Sequence, residues 1–124
     1  MCYDKFCDAY NTENWEDLLM VVQSLRLASG TQGSNVTPRM VIEMGIVPNV
    51  LSLLDERLSA VSKLQSEAAW LITNITSGDI NDTIYLIEQN AIQILTSCIR
   101  NKPQDLQENV YIFKGKWLPI KLHR

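Results

Sequence analysis

The chain has 124 residues, 46% of them hydrophobic, which suits the core of one ordinary domain and excludes a disordered tail. A formal charge of −3 argues against a nucleic-acid or anionic-membrane surface, since both attract basic stripes, and leaves a basic partner easier to accommodate. Cys2, Cys7 and Cys98 are odd in number and lack metal-type spacing, and the single histidine, His123, sits beside the last residue, so no zinc site and no cofactor is expected.

The opening MCYDKFCDAY lacks a basic flank followed by an apolar run, and no stretch of about 18 apolar residues occurs, so neither a secretory signal nor a membrane span is expected. Residues 1–13 read as an N-terminal extension. Around 14–29, Leu18, Val22 and Leu25 recur at steps of four and three, an apolar stripe that predicts a helix ending at Gly30. The polar loop TQGSNVTPR closes with Thr37 as an N-cap and Pro38 at the first helical position, opening a short helix that runs to Gly45. Pro48 opens another through NVLSLLDER, and a longer helix over 61–77 is expected to stop at Gly78 in a left-handed C-terminal cap. Residues 82–89, 91–100 and 104–113 repeat the series, with Asn90 where Gly45 stood and Pro103 opening the last. Gly115 and Pro119 then predict a broken helix and a divergent tail over 114–124. Nothing reads as a strand.

The recurrence stands up residue by residue. Shifting VIEMGIVPNVLSLL by 45 positions lays it on LIEQNAIQILTSCI, with Ile42 on Ile87, Glu43 on Glu88 and Ser52 on Ser97. A shift of 42 lays Gln65 on Gln107 and Glu67 on Asn109. Three helices in a period of about 40–47 residues is the signature of an armadillo-type α-solenoid. The predicted fold is therefore all-α, stacked three-helix repeats over 14–113, one partial and about two recognisable. A stack of this size is close to the minimum of about three units.

Positions four apart share a helix face, which puts Trp70 and Asn74 side by side in LQSEAAWLITNITSG. An indole can take the stem and charge of a lysine or arginine, and a carboxamide offers a donor and an acceptor to a peptide backbone. Their simpler readings are a core tryptophan and a solvated helix residue. Glu67, Asp79 and Asp82 either attract basic peptide or form an ordinary acidic surface. Cys98 reads as a small core residue, and no catalytic set emerges, so an enzyme is not expected.

The run LQSEAAWLITNITSG, with VIEMGIVPNVLSLLD before it and NDTIYLIEQNAIQIL after it, resembles the importin α family of armadillo adaptors that recognise nuclear localisation signals. The resemblance covers about residues 18–110. It implies that Trp70 and Asn74 line the concave face, that Gly78 and Thr83, with Ser77 beside them, help hold a ligand lysine, and that Asn109 replaces a family glutamine. The bland readings of Gly78 and Thr83 are a helix stop and an N-cap. The resemblance also implies basic signal peptides as partners, residence in cytoplasm and nucleus, and importin β as a further partner, although the basic segment that binds it is not visible.

The sequence departs from that pattern at the next rung. Counting 42 residues on from Trp70 and Asn74 gives Ile112 and Lys116, the expected acidic partner falls at Ile120, and Trp117 is five residues late. The reading is an import-adaptor-like protein with one complete rung; the alternative is a degenerate armadillo scaffold or truncated product making other protein contacts.

Overall fold

In the computed structural model, which describes residues 2–31, 35–55, 62–98 and 102–123, the chain folds into eight helices, and no strand occurs among these residues. The elements are α1 (Cys2–Asn11), α2 (Trp15–Ser29), α3 (Pro38–Glu43), α4 (Val47–Ser52), α5 (Ser62–Ile75), α6 (Ile80–Glu88), α7 (Ala91–Cys98) and α8 (Gln104–His123). The helix opened by Pro48 ends earlier than expected, at Ser52 with Leu53 as its C-cap, and only Glu56 and Arg57 of the expected continuation, the first residue of the 61–77 helix and the end of the 91–100 helix lie outside the described residues.

Local chemistry sets the boundaries. Asn14 caps α2 by accepting from the Asp17 amide, and Thr37 caps α3 by accepting from the Met40 amide at 3.2 Å, with Pro38 where its missing N–H costs nothing. Gly45 and Asn90 occupy equivalent turns, and both are left-handed, at φ 75° and 62°. This is the conformation that glycine adopts freely and asparagine tolerates better than most residues.

Three expectations need correction. Gly78 does not adopt a left-handed cap; its lack of a side chain instead admits Pro38 and Asp82, since a Cβ there would press against the Asp82 carboxylate and come within 3.0 Å of Pro38 Cβ. Thr83 is not an N-cap, because Asp79 holds that position in a reciprocal capping box with Asp82. The helix does not break at Gly115 and Pro119: α8 runs through both to His123. Leu106, Val110 and Phe113 are buried and Trp117 packs against the core one turn later, so tertiary burial outweighs the one backbone hydrogen bond that Pro119 cannot make.

The units stack in one direction. α5 packs between α2 and α8, α3 touches α6, and α6 and α7 both support α8. Residues 1–13, expected as an extension, contribute α1, whose Phe6 and Ala9 enter the core. Tyr10 Oη lies 2.8 Å from Ser52 Oγ across a separation of 42 residues, one period, so α1 lies beside α4 as a second helix. The repeated glutamines have a shared task. Gln65 Nε2 donates to the Leu53 and Asp55 carbonyls at 3.0 and 2.8 Å, and Gln107 Nε2 donates to the Lys102 carbonyl at 2.9 Å, each tying down the connection before a third helix.

Gly78, between α5 and α6, and Gly115, inside α8, make opposite predictions. Gly78→Ala should destabilise the chain by about 1–3 kcal/mol, because Asp82 is fixed by its capping box and cannot swing away. Gly115→Ala, where an added Cβ meets nothing within 4 Å, should stabilise by about 0.5–1 kcal/mol through helix propensity. Urea unfolding followed by circular dichroism reads both.

Candidate peptide-binding groove

Helix α5 is buried along almost its whole circumference. Leu64, Gln65, Glu67, Ala68, Ala69, Leu71, Ile72, Thr73 and Ile75 are all buried, so solvent meets only Ser62, Lys63, Ser66, Trp70 and Asn74. The steps of four along Ser62, Ser66, Trp70 and Asn74 make one narrow stripe. Trp70 packs one part of its indole against the core and leaves the rest accessible, an arrangement between the groove and core readings.

Asn74 is only partly available. Its Nδ2 donates to the Arg26 carbonyl at 2.8 Å and lies 3.5 Å from Ser29 Oγ, so the amide closes over the last turn of α2. Gly30 makes room for it, since a Cβ there would come within 2.9 Å of the same nitrogen. The expected free donor is thus largely engaged within the fold, and Oδ1 is left as the side chain's acceptor.

Arg26 is the groove residue that the sequence reading missed. Its Nε and Nη2 donate to the two Glu67 carboxylate oxygens at 2.6 and 3.0 Å, and Gln23 Nε2 adds a contact to Oε1 at 3.3 Å. The hydrogen bond it donates to Glu67 holds the guanidinium above its ordinary pKa, against a smaller desolvation effect, so it stays charged. Glu67 is 7% exposed and already neutralised, which removes it as a lure for basic peptide. A separation of 44 residues from Trp70, about one period, was the available signal for Arg26.

At the far end of α5, Gly78 and Thr83 line a cavity of about 300 Å³ together with Thr76, Ile80, Lys116, Pro119 and Ile120. Thr83 is buried, Gly78 is half-buried, and Ser77 is exposed with its hydroxyl donating to the Asn74 carbonyl at 2.7 Å. The continuous helix α8 keeps the register, so Ile120 does reach this cavity, where the resemblance calls for a carboxylate. Lys116 Nζ donates to the Thr76 carbonyl at 2.8 Å. Asp82 also lies out of a ligand's reach: it is 3% exposed and its Oδ1 sits 2.7 Å from Arg39 Nη2, an ionic approach rather than an aligned hydrogen bond. Asp79, exposed, serves the capping box.

The second rung is absent as counted. Ile112 is exposed on α8, and Trp117, five residues on, turns toward the core, so no indole stands beside Trp70 on this neighbour. Asn109 is half-buried on the same helix. The structure therefore groups Trp70 with Asn74, and Gly78 with Thr83, and leaves Asn109 on the adjacent helix. Burial raises the Cys98 thiol pKa, with Lys102 opposing, which makes it a poor nucleophile at neutral pH.

Comparison with known proteins agrees with this architecture. The armadillo/β-catenin-like repeat model matches residues 34–77, which hold α3, α4 and α5. The fold is an armadillo-type stack. It is 37% identical over 68 residues to importin subunit alpha-3 of Arabidopsis thaliana, covering 55% of this chain and 12% of that protein. Over 90 residues it is 32% identical to importin subunit alpha-8 of Mus musculus, covering 71% of this chain and 18% of that protein. Importin subunit alpha-B of Dictyostelium discoideum is 38% identical over 68 residues, covering 55% and 13%. The likeness to importin α read from the Trp70 run thus extends over half of this chain or more, whereas the chain spans less than a fifth of these relatives' length. No solved structure matches it significantly. These likenesses are to armadillo-repeat and importin alpha proteins, and among the described residues no helix is long and apolar enough to cross a membrane.

The α2–α5 seam gives a stability prediction. Arg26→Ala should cost about 1–3 kcal/mol, because it strands the Glu67 carboxylate while the guanidinium it removes was partly solvated. Adding Glu67→Gln to that variant should recover part of the loss, since a neutral amide is cheaper to leave unpaired. Thermal melts of the single and double variants measure the difference.

Proposed function

We propose that this armadillo stack is an import-adaptor-like scaffold that grips an extended peptide bearing a basic residue across the exposed stripe of α5. The observation that carries the reading is the stripe itself: on a helix otherwise buried beyond Ser66, Trp70 and Asn74 are brought to the surface one turn apart. The named relatives are importin α subunits, which favours nuclear localisation signals as ligands and a protein that works in both cytoplasm and nucleus. Importin β engagement belongs to the same proposal.

The arithmetic sets the strength. A cation over an indole contributes about 0.5–2 kcal/mol, and a backbone hydrogen bond to Asn74 Oδ1 about 0.5–1.5. Micromolar binding needs about 8 kcal/mol, so this single rung gives weak capture and gains by acting with neighbouring contacts. A second reading, a scaffold for other protein contacts, is favoured by one observation: the Asn74 amide and the Lys116 ammonium both serve the fold.

Fluorescence anisotropy with a labelled lysine-rich signal peptide separates the two. Wild type should bind with about millimolar affinity or weaker, and Trp70→Ala should weaken it by about twofold to thirtyfold, the range of a lost cation–indole contact. Equal binding by both proteins would remove the groove and leave the scaffold reading.

A further inference from the structure

The cavity at the end of α5 carries the wrong charge for a lysine. The residues expected to hold a ligand's ammonium group, Gly78 and Thr83, share it with an ammonium the protein supplies itself. Lys116 Nζ lies 2.8 Å from the Thr76 carbonyl, and the rest of the lining is the apolar trio Ile80, Pro119 and Ile120. Among the described residues the ion pairs join Arg26 to Glu67 and Arg39 to Asp79 and Asp82; Lys116 takes part in none of them. Its charge therefore belongs to the lining of a cavity of about 300 Å³, with one of three N–H donors used by a neutral carbonyl.

We propose that this cavity receives a carboxylate side chain of the bound peptide, so that the ligand is a mixed-charge segment and not a purely basic run. This rests on the reading of Trp70 and Asn74 as a peptide grip. The chemistry is direct: Lys116 supplies a charge-assisted donor, the Thr83 hydroxyl supplies a second polar group, and Ile80 and Ile120 pack against the methylenes of an aspartate or glutamate. A carboxylate from the protein at position 120 would have neutralised Lys116; isoleucine there leaves the charge for a ligand.

Spacing fixes the motif. Trp70 and Thr76 are six residues apart on α5 and its last turn, about 9 Å along the axis at 1.5 Å per residue. An extended peptide covers that in about three residues at roughly 3.3 Å each. The segment recognised thus places a lysine or arginine on Trp70 and an aspartate or glutamate about three positions away.

The test uses labelled peptides titrated against the full chain by anisotropy. One peptide holds a single lysine with glutamate three positions after it, one has glutamate three positions before it, one has glutamine at both places, and one has lysine throughout. In one of the two orders the glutamate peptide should bind about tenfold tighter than its glutamine counterpart, the scale of one charge-assisted hydrogen bond. Lys116→Met should erase that preference, Lys116→Glu should reverse it toward the all-lysine peptide, and Lys116→Arg, which keeps the charge, should retain it. Circular dichroism melts of each variant show that α8 is still packed. If binding depends on Trp70 but glutamate gives no advantage in either order, or if the preference survives Lys116→Met, the carboxylate site is overturned and the Trp70 grip stands. If no peptide binds, or Trp70→Ala changes nothing, the grip fails and the carboxylate site falls with it.

Discussion

A three-helix unit cannot close its own third helix. α5 presents Leu64, Ala68, Leu71, Ile72 and Ile75 on faces too broad for α3 and α4 alone to cover, and each of these side chains is at most 3% exposed because α2 and α8 lie on either side. This mutual covering is what makes stacked repeats one continuous core rather than separate bundles. It also dictates where function can lie. With two flanks and a base buried, the helix has one strip left to present, and any residue on that strip is held by everything beneath it. Trp70 is positioned by the stack before it meets any ligand, which limits the entropy lost on binding.

The flanks are joined by polar groups as well as by packing, and these same groups determine the electrostatics of the groove. Glu67 takes a forked ion pair from Arg26, while Asn74 reaches the carbonyl of that same Arg26. Together they clamp α2 to α5 at two points seven residues, about two turns, apart on the latter helix. A consequence is that the apparent acidity of this region is internal: Glu67 and Asp82 are both nearly buried and both have a cationic partner. What this surface leaves accessible is an indole, an amide oxygen and, further on, the Asp79 carboxylate and an ammonium group. Net charge over the whole chain, the quantity most easily read from composition, describes this local field poorly.

That contrast explains how much could be read before the coordinates. The all-α stack was legible because it is written in repetition: Gly45 and Asn90 mark the same left-handed turn, Gln65 and Gln107 bind the same kind of carbonyl, and the apolar steps recur at about one period. Caps such as Thr37 were legible because their chemistry is local. Arg26 was hidden since its role comes from a partner 41 residues away, and the engagement of Asn74 was hidden for the same reason at 48. α8 misleads through its own composition. Gly115 and Pro119 predict a break, yet Phe113 and Trp117 supply enough burial to carry the helix through. Thr83 looked like a cap because Asp79, four residues earlier, is equally suited to the task and already had it.

The persistence of α8 turns two isolated departures into one. Had the helix broken at Gly115, Lys116 and Ile120 would belong to an unrelated tail and their relation to the groove would be accidental. In a continuous helix they are four residues apart, on one face, and both line the cavity of Gly78 and Thr83. Their effects are then coupled through a single electrostatic site. Bringing in the ammonium alone beside a resident carboxylate would have given a closed internal ion pair and a neutral cavity; removing the carboxylate alone would have given an apolar one. Only the combination yields a lining that holds an ammonium group and no carboxylate, with Asp79 and Asp82 beside it already facing Arg39. On the proposed reading, two departures on one face, each ordinary, thus turn a feature expected to accept a cation into one suited to an anion.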